Sequence, residues 1–377
     1  MDEVRPVNVV KISSHMKRNL LIYTVAALLI GLIIGYAFSD FFKSHPTEVK
    51  NMIIAMAILT IYPSMIQLRT ENLARSAKRI KEILIGMIFV FLAAPVIAFI
   101  FARAIQDPYV SLGFVTSNVV PASSASIGYV LLAEGNIELA TILAVLSLIG
   151  AMGAVPAYVG FYAGISSIPL PMNKIVQSIV YTLLTPFIAG QLTRYYFIKK
   201  RSHVHVKVAF KEKVNVKSHA FDCLVKAAEK DLQLLEKDFK RLASCVERRL
   251  EKRVRPYLSL ATMISMLVLI SLLIANKSTL LIQKPLIALE ILALQATMLG
   301  ILLTLITFLD KIMHIKYGEH SAIAFISATK NQSVAAAIAV MALGPRAAIP
   351  PALIPAIQAP IAIIYLQLLP KIRRFFS

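Results

Sequence analysis

Within the apolar run Ala322–Leu343, four consecutive residues break the pattern: Lys330, Asn331, Gln332 and Ser333. An ammonium, two amides and a hydroxyl at membrane depth are costly without a ligand or partner, so such groups are first read as functional. An earlier interruption sets Asn118, Ser123, Ser124 and Ser126 around Pro121. Proline has no N–H and frees the carbonyl one turn before it, so the chain can unwind at Pro121 and restart as a half-helix near Ser123. Such a helix start offers free N–H groups and a positive dipole end, the chemistry that receives an anion. The plainer reading of the serines is small-residue packing, with Pro121 as a kink. Gln358 stands in the last apolar run. Glu290 is a carboxylate inside an apolar run, placed to relay protons or to meet Lys284 at the interface. The expected substrate- or ion-binding set is therefore Asn118, Pro121, Ser123, Ser124, Ser126, Lys330, Asn331, Gln332, Ser333 and Gln358, with Glu290 and Lys330 as proton-coupling groups.

Other constellations are thinner. Ser123 with Lys330 would make a Ser–Lys hydrolytic pair if the two met, but no motif demands it. His203 and His205 form an H-x-H, too little for a metal site, and neither metal nor cofactor is expected. Cys223 and Cys245 lie outside the apolar runs, which excludes a disulfide framework.

The elements that must position these residues are membrane helices. The 377 residues are 58% hydrophobic and only 16% charged, far from soluble composition. Runs long enough to cross a bilayer recur at Leu20–Phe38, Val49–Ile66, Ile83–Phe101, Tyr109–Leu132, Leu139–Gly164, Ile175–Phe197, Tyr257–Ala275, Leu286–Leu309, Ala322–Leu343 and Ala352–Leu369. The first is too long for a signal h-region and lacks a small-residue cleavage site, so it reads as a retained helix. The net charge of +20 is concentrated in alternate connections: Lys11, Lys17 and Arg18, then Arg69 to Lys81, the stretch after Phe197, Lys311 and Lys316, and Lys371 to Arg374. With ten spans these all fall on one side, which makes both termini cytoplasmic in a cell (plasma) membrane.

The expected fold is all-α and polytopic, about ten transmembrane helices in two inverted five-helix repeats whose fourth and ninth helices are broken and crossed. Paired interruptions of this kind point to the midplane site of a secondary transporter working by alternating access. The expected organisation is 1–198 (spans one to six), 199–255 (a basic cytoplasmic insert) and 256–377 (spans seven to ten). Alternating valines around Lys211-Glu212-Lys213 suggest a hairpin. Apolar residues from Phe221 to Val246 at three- and four-residue steps form a heptad seam. That seam suits a homodimer contact or, equally, an amphipathic helix on lipid headgroups. Nucleic-acid binding is not expected, because aromatics are not interleaved with the basic residues.

Taken together, these segments resemble the bile acid/arsenite/riboflavin transporter superfamily, and within it the arsenical-resistance arsenite permeases. The resemblance is carried by Ile61-Tyr62-Pro63-Ser64-Met65, Pro121 to Ala140, Thr185 to Arg194, Ser321 to Val340, and Gly344-Pro345 with Gln358-Ala359-Pro360. It implies a transporter, not an enzyme: arsenite-permease-like efflux across the plasma membrane first, with a sodium- or proton-coupled symporter of a small organic anion as the alternative. Two positions depart from the arsenite pattern: Ala122 stands where those permeases have cysteine, and Gln358 where they have glutamate. Arsenic(III) prefers thiolate, so this path lacks thiol capture. The Lys-Asn-Gln-Ser break is closer to the sodium/bile-acid branch, where Lys330 would act as a fixed positive charge or by deprotonating. A receptor or scaffold built around the insert is the remaining class.

Overall fold

Lipid offers no hydrogen bonds, so each apolar run must satisfy its backbone internally, and the helix is how one segment does this. The computed structural model describes residues 7–68, 79–200 and 254–376. Helix α1 (Val7–Arg18) leads into α2 (Leu20–Ala37), α3 (Ser39–Ser44) and α4 (Pro46–Gln67). Next come α5 (Ile80–Ala102), α6 (Pro108–Val119), α7 (Ser124–Leu132), α8 (Ile137–Ile165) and α9 (Met172–Phe197). The remainder is α10 (Val254–Ala275), α11 (Ser278–Gln283), α12 (Pro285–Ile312), α13 (Tyr317–Ala328), α14 (Gln332–Leu343), α15 (Ile349–Leu353) and α16 (Pro355–Phe376). There is no strand among the described residues.

Among the described residues seven helices, α4, α5, α8, α9, α10, α12 and α16, are long and apolar enough to cross a membrane. The chain is an all-α polytopic membrane protein. Ten crossings require in addition that α2 and the two broken pairs, α6–α7 and α13–α14, each count once. The insert hairpin, the heptad helix with its dimer contact, His203, His205, Cys223 and Cys245 lie outside the described residues, as do Arg69, Arg75 and Lys78.

Two boundaries differ from expectation in a way that matters. Helix α12 runs past Leu309 to Ile312, and α13 starts at Tyr317 rather than Ala322. Both extensions carry polar residues inward, so Asp310 and His320 are fully buried instead of lying in a connection. Hydropathy alone ends a span at the first charge, whereas a partnered charge lets the helix continue.

Helix α2 meets α10 through glycine. A Cβ on Gly31 would sit 2.6 Å from the Ser271 carbonyl oxygen, and one on Gly35 2.3 Å from that of Ala275. The four-residue step puts both glycines on one face, the small-residue contact by which membrane helices approach closely. Ser271 Oγ crosses the seam to donate to the Ala27 carbonyl at 2.9 Å. Ion pairs tie the ends of the bundle. On the face we call A, Arg346 pairs with Asp107 at 3.2 Å. On the opposite face, B, Arg79 pairs with Glu319 at 2.7 Å and Arg373 with Glu134 at 3.2 Å.

Candidate functional site

Helix α6 ends at Val120, whose extended ψ of 160° leads into Pro121, and the chain restarts at Ser124. Helix α13 ends likewise at Thr329 and restarts at Gln332. The two breaks lie side by side. Ser123 N donates to the Thr329 carbonyl and Asn331 N to the Pro121 carbonyl, each at 2.9 Å. They form an isolated antiparallel bridge centred on Ala122 and Lys330. Each break thus supplies the hydrogen bonds the other lost. Both N-caps are side-chain oxygens: Ser123 Oγ accepts from Ala125 N at 3.3 Å, and Asn331 Oδ1 from Val334 N at 3.4 Å.

Proline explains the next shell of contacts. The carbonyl four residues before Pro121 belongs to Ser117, and Gln332 Nε2 donates to it at 3.1 Å. Gln332 Nε2 also reaches Gln358 Oε1 at 3.3 Å, while Gln332 Oε1 is buried with no hydrogen-bond partner among the described residues. Gln358 brackets the Lys330 backbone: its Oε1 accepts from Lys330 N at 3.2 Å, and its Nε2 donates to the Lys330 carbonyl at 3.1 Å. Ser126 Oγ donates to the Thr329 carbonyl at 3.1 Å and shares a hydrogen bond with Thr329 Oγ1. The Ala122 N–H is taken by Ser147 Oγ at 3.2 Å.

Lys330 is 2% exposed, and its ammonium donates to the Val90 carbonyl at 3.4 Å. That carbonyl is free for a local reason. Just before Pro95, α5 widens into a π-turn over Phe89–Ala93, where Ala94 N bonds the Phe89 carbonyl and leaves that of Val90 unused. No carboxylate among the described residues forms an ion pair with Lys330. The Lys330 amine therefore sits beside the crossing with only a backbone dipole as partner, a setting in which carrying a charge has a substantial cost.

The expected residues divide on this geometry. Pro121, Ser123, Ser126, Lys330, Asn331, Gln332 and Gln358 come together at the crossing. Ser124 opens α7, and Ser333 is buried in the first turn of α14. Asn118 is joined instead to Gln295 of α12 by reciprocal 3.0 Å amide hydrogen bonds. Gln295 was missed by the sequence reading, although a lone amide inside an apolar run is the signal that would have found it. Glu290 is half-buried near the start of α12 and makes no hydrogen bond or ion pair among the described residues, with Lys284 or with the crossing. Ser123 and Lys330 share no hydrogen bond.

A cavity beside the crossing is lined by Ala122, Ser123 and Asn331, by Ser64, Met65 and Leu68 of the α4 end, and by Ala144 and Leu148 of α8. Its volume, about 10 Å³, suits about one water. Helix α4 closes it. That helix end is held to α9 by Tyr62 OH with Thr193 Oγ1 at 2.7 Å and by Gln191 Nε2 donating to the Met65 carbonyl at 2.9 Å.

On face A a cleft of about 670 Å³ opens between α2–α4 and the end of α14, and Lys43, Lys50, Lys174 and Lys277 line it. None of the four makes an ion pair among the described residues. Burial, and then the charge of Arg346, hold the Lys277 ammonium below the ordinary lysine range. An anion bound there would relieve that repulsion.

A family model, that of the sodium bile acid symporter family, matches residues 53–225, a stretch that includes most of α4, the first break and α5 to α9. No curated protein matches the chain.

Proposed function

We propose that the chain, matched over residues 53–225 by the sodium bile acid symporter family model, is a secondary active transporter of a small organic anion, carried past the Pro121–Asn331 crossing by alternating access. The observation that carries this reading is the buried Lys330 amine, without an ion-pair partner among the described residues, beside two half-helix starts. Two dipole ends of the same sign favour an anion at the crossing, and Lys330 lies behind them on the α5 side of the second break. The lysine-lined cleft on face A adds to it, since a basic cleft raises the local concentration of anions.

In this reading α4 and α9 move as a unit away from Ala122, Ser123 and Asn331, because the closed cavity is too small for any organic anion. The two halves of the bundle act as inverted repeats around the crossing. The basic excess on the face B connections supports a cytoplasmic face B, in the plasma membrane. The family's name carries sodium. Here a protonated Lys330 near the breaks would take the place of a bound cation, so the flux is to be measured with and without sodium. Arsenite efflux has less support: neither a thiol nor a carboxylate lines the cavity at the crossing.

Flux into proteoliposomes containing the full chain tests the proposal. A radiolabelled bile salt, a short-chain carboxylate and arsenite are compared, with and without sodium and a pH gradient. Uptake of an organic anion that persists without sodium and falls in Asn331→Ala supports it. Flux of arsenite alone overturns the organic-anion reading, and flux indifferent to Asn331→Ala removes the site assignment.

A further inference from the structure

The extended ends of α12 and α13 bring Asp310 and His320 into a chain of four polar side chains on the face B side of the bundle, three of them buried and Thr307 half-buried. Asp310 Oδ2 lies 2.8 Å from His320 Nδ1, His320 Nε2 lies 2.8 Å from Tyr365 OH, and Tyr365 OH lies 2.8 Å from Thr307 Oγ1. The proton positions follow from counting donors. Thr307 spends its single hydroxyl proton on the Leu303 carbonyl at 2.7 Å. It must therefore accept from Tyr365, which spends its own proton there. Tyr365 in turn accepts from His320 Nε2, so that nitrogen carries a hydrogen.

What remains is the short contact between His320 Nδ1 and Asp310 Oδ2. If histidine were neutral and aspartate ionised, two lone pairs would face each other at 2.8 Å and a net negative charge would be buried. One proton between them gives a hydrogen bond and net neutrality, which burial favours. Both residues are 0% exposed, and Asp310 Oδ1 has no partner among the described residues. Only the Asp310–His320 bond of this chain depends on an exchangeable proton.

Resting on the reading of the chain as a secondary transporter, we propose that Asp310 and His320 share one exchangeable proton that is a coupling ion of the transport cycle. Its release toward face B leaves two acceptors in contact and so unlatches α13, with the Thr329–Asn331 break it carries, from α12. Its return restores the latch. The step moves one proton between the pair and water and makes or breaks no other covalent bond.

For the proton to reach water on face B, the ring over His320 must move. Phe376 stacks on His320 at 4.5 Å and covers it on face B. Tyr317, one turn before His320, lines a face B cleft of about 520 Å³ with Leu369 and Arg373. The other titratable or charged groups on the surrounding elements are engaged or lie toward the surface. Glu319 pairs with Arg79, Arg373 with Glu134, and Lys81 donates to the Met313 carbonyl. Lys311 lies over Phe375, half-buried Tyr129 of α7 stacks on Phe325, His314 is exposed in the α12–α13 connection, and Glu82, Glu138, Lys316, Lys371 and Arg374 also lie on these elements.

Asp310→Asn and His320→Gln separate a proton site from a static latch, because an amide can donate to its neighbour and keep the link without an exchangeable proton. Infrared pH-difference spectra of the full chain in phosphatidylcholine vesicles should contain a titrating carboxyl–imidazole signal that both variants lose. Bile-salt exchange should change at least about tenfold across the pH range where histidine and carboxylates titrate in the wild type, and less than about twofold in either variant. Spectra of Asp310→Asn that superpose on wild type, or an unchanged pH profile of flux in both variants, overturn the proposal. Absence of wild-type flux with any probe defeats the transporter reading instead, and the spectra still decide whether the pair binds a proton.

Discussion

The two breaks at the crossing share a backbone and differ in chemistry. Each ends a helix in an extended residue, restarts on a side-chain N-cap and trades one hydrogen bond with the other. The first is neutral, faces α4 and lines the small cavity with Ala122 and Ser123. The second turns Lys330 away, toward the π-turn of α5, and is clasped by Gln358 and Gln332. Symmetric backbone geometry therefore carries an asymmetric division of labour. The Pro121 side offers contact surface, and the Lys330 side holds the field.

Removing the charge should break that division most severely. Lys330→Met keeps the apolar stem, and flux should fall about hundredfold, near the ~3 kcal/mol typical of withdrawing one desolvated charge partner. The same variant should melt higher than wild type, because an unpaired buried ammonium gives way to apolar packing. A variant that melts lower yet transports normally would make Lys330 a structural residue. Gln332→Leu leaves the Ser117 carbonyl without its donor and should cost about 1–3 kcal/mol in unfolding measurements. Replacing Ser126 by Ala removes one of two donors to the Thr329 carbonyl, so a loss near 1 kcal/mol is expected. Smallest is Ser123→Ala on the neutral break. Its long N-cap bond should be worth at most about 1 kcal/mol, and flux should drop only a few-fold. If Ser123→Ala proves as damaging to flux as Lys330→Met, the division between the breaks does not hold.

The breaks were legible in sequence because proline and a polar quartet stand out against apolar helix. The residues that complete the site were not, for reasons of geometry. Val90 is an ordinary apolar residue, and its role comes from a carbonyl freed by a π-turn that no hydropathy pattern marks. Gln358 was found, but its bracket around the Lys330 backbone depends on how α16 packs. Asp310 and His320 escaped because a span was ended at its first charge, while burial of a hydrogen-bonded pair allows α12 and α13 to run on. Glu290, expected as a proton carrier from its apolar setting, stands apart from the groups that do join.

The most direct test of the crossing as the transport site is the accessibility of Ala122→Cys, with Cys223 and Cys245 replaced by serine. Its alkylation by a thiol reagent is followed in proteoliposomes with and without the transported anion. Occupancy of the cavity at about ten times the dissociation constant should slow modification about tenfold. Alkylation that proceeds at the same rate while the anion is being transported would place the path elsewhere.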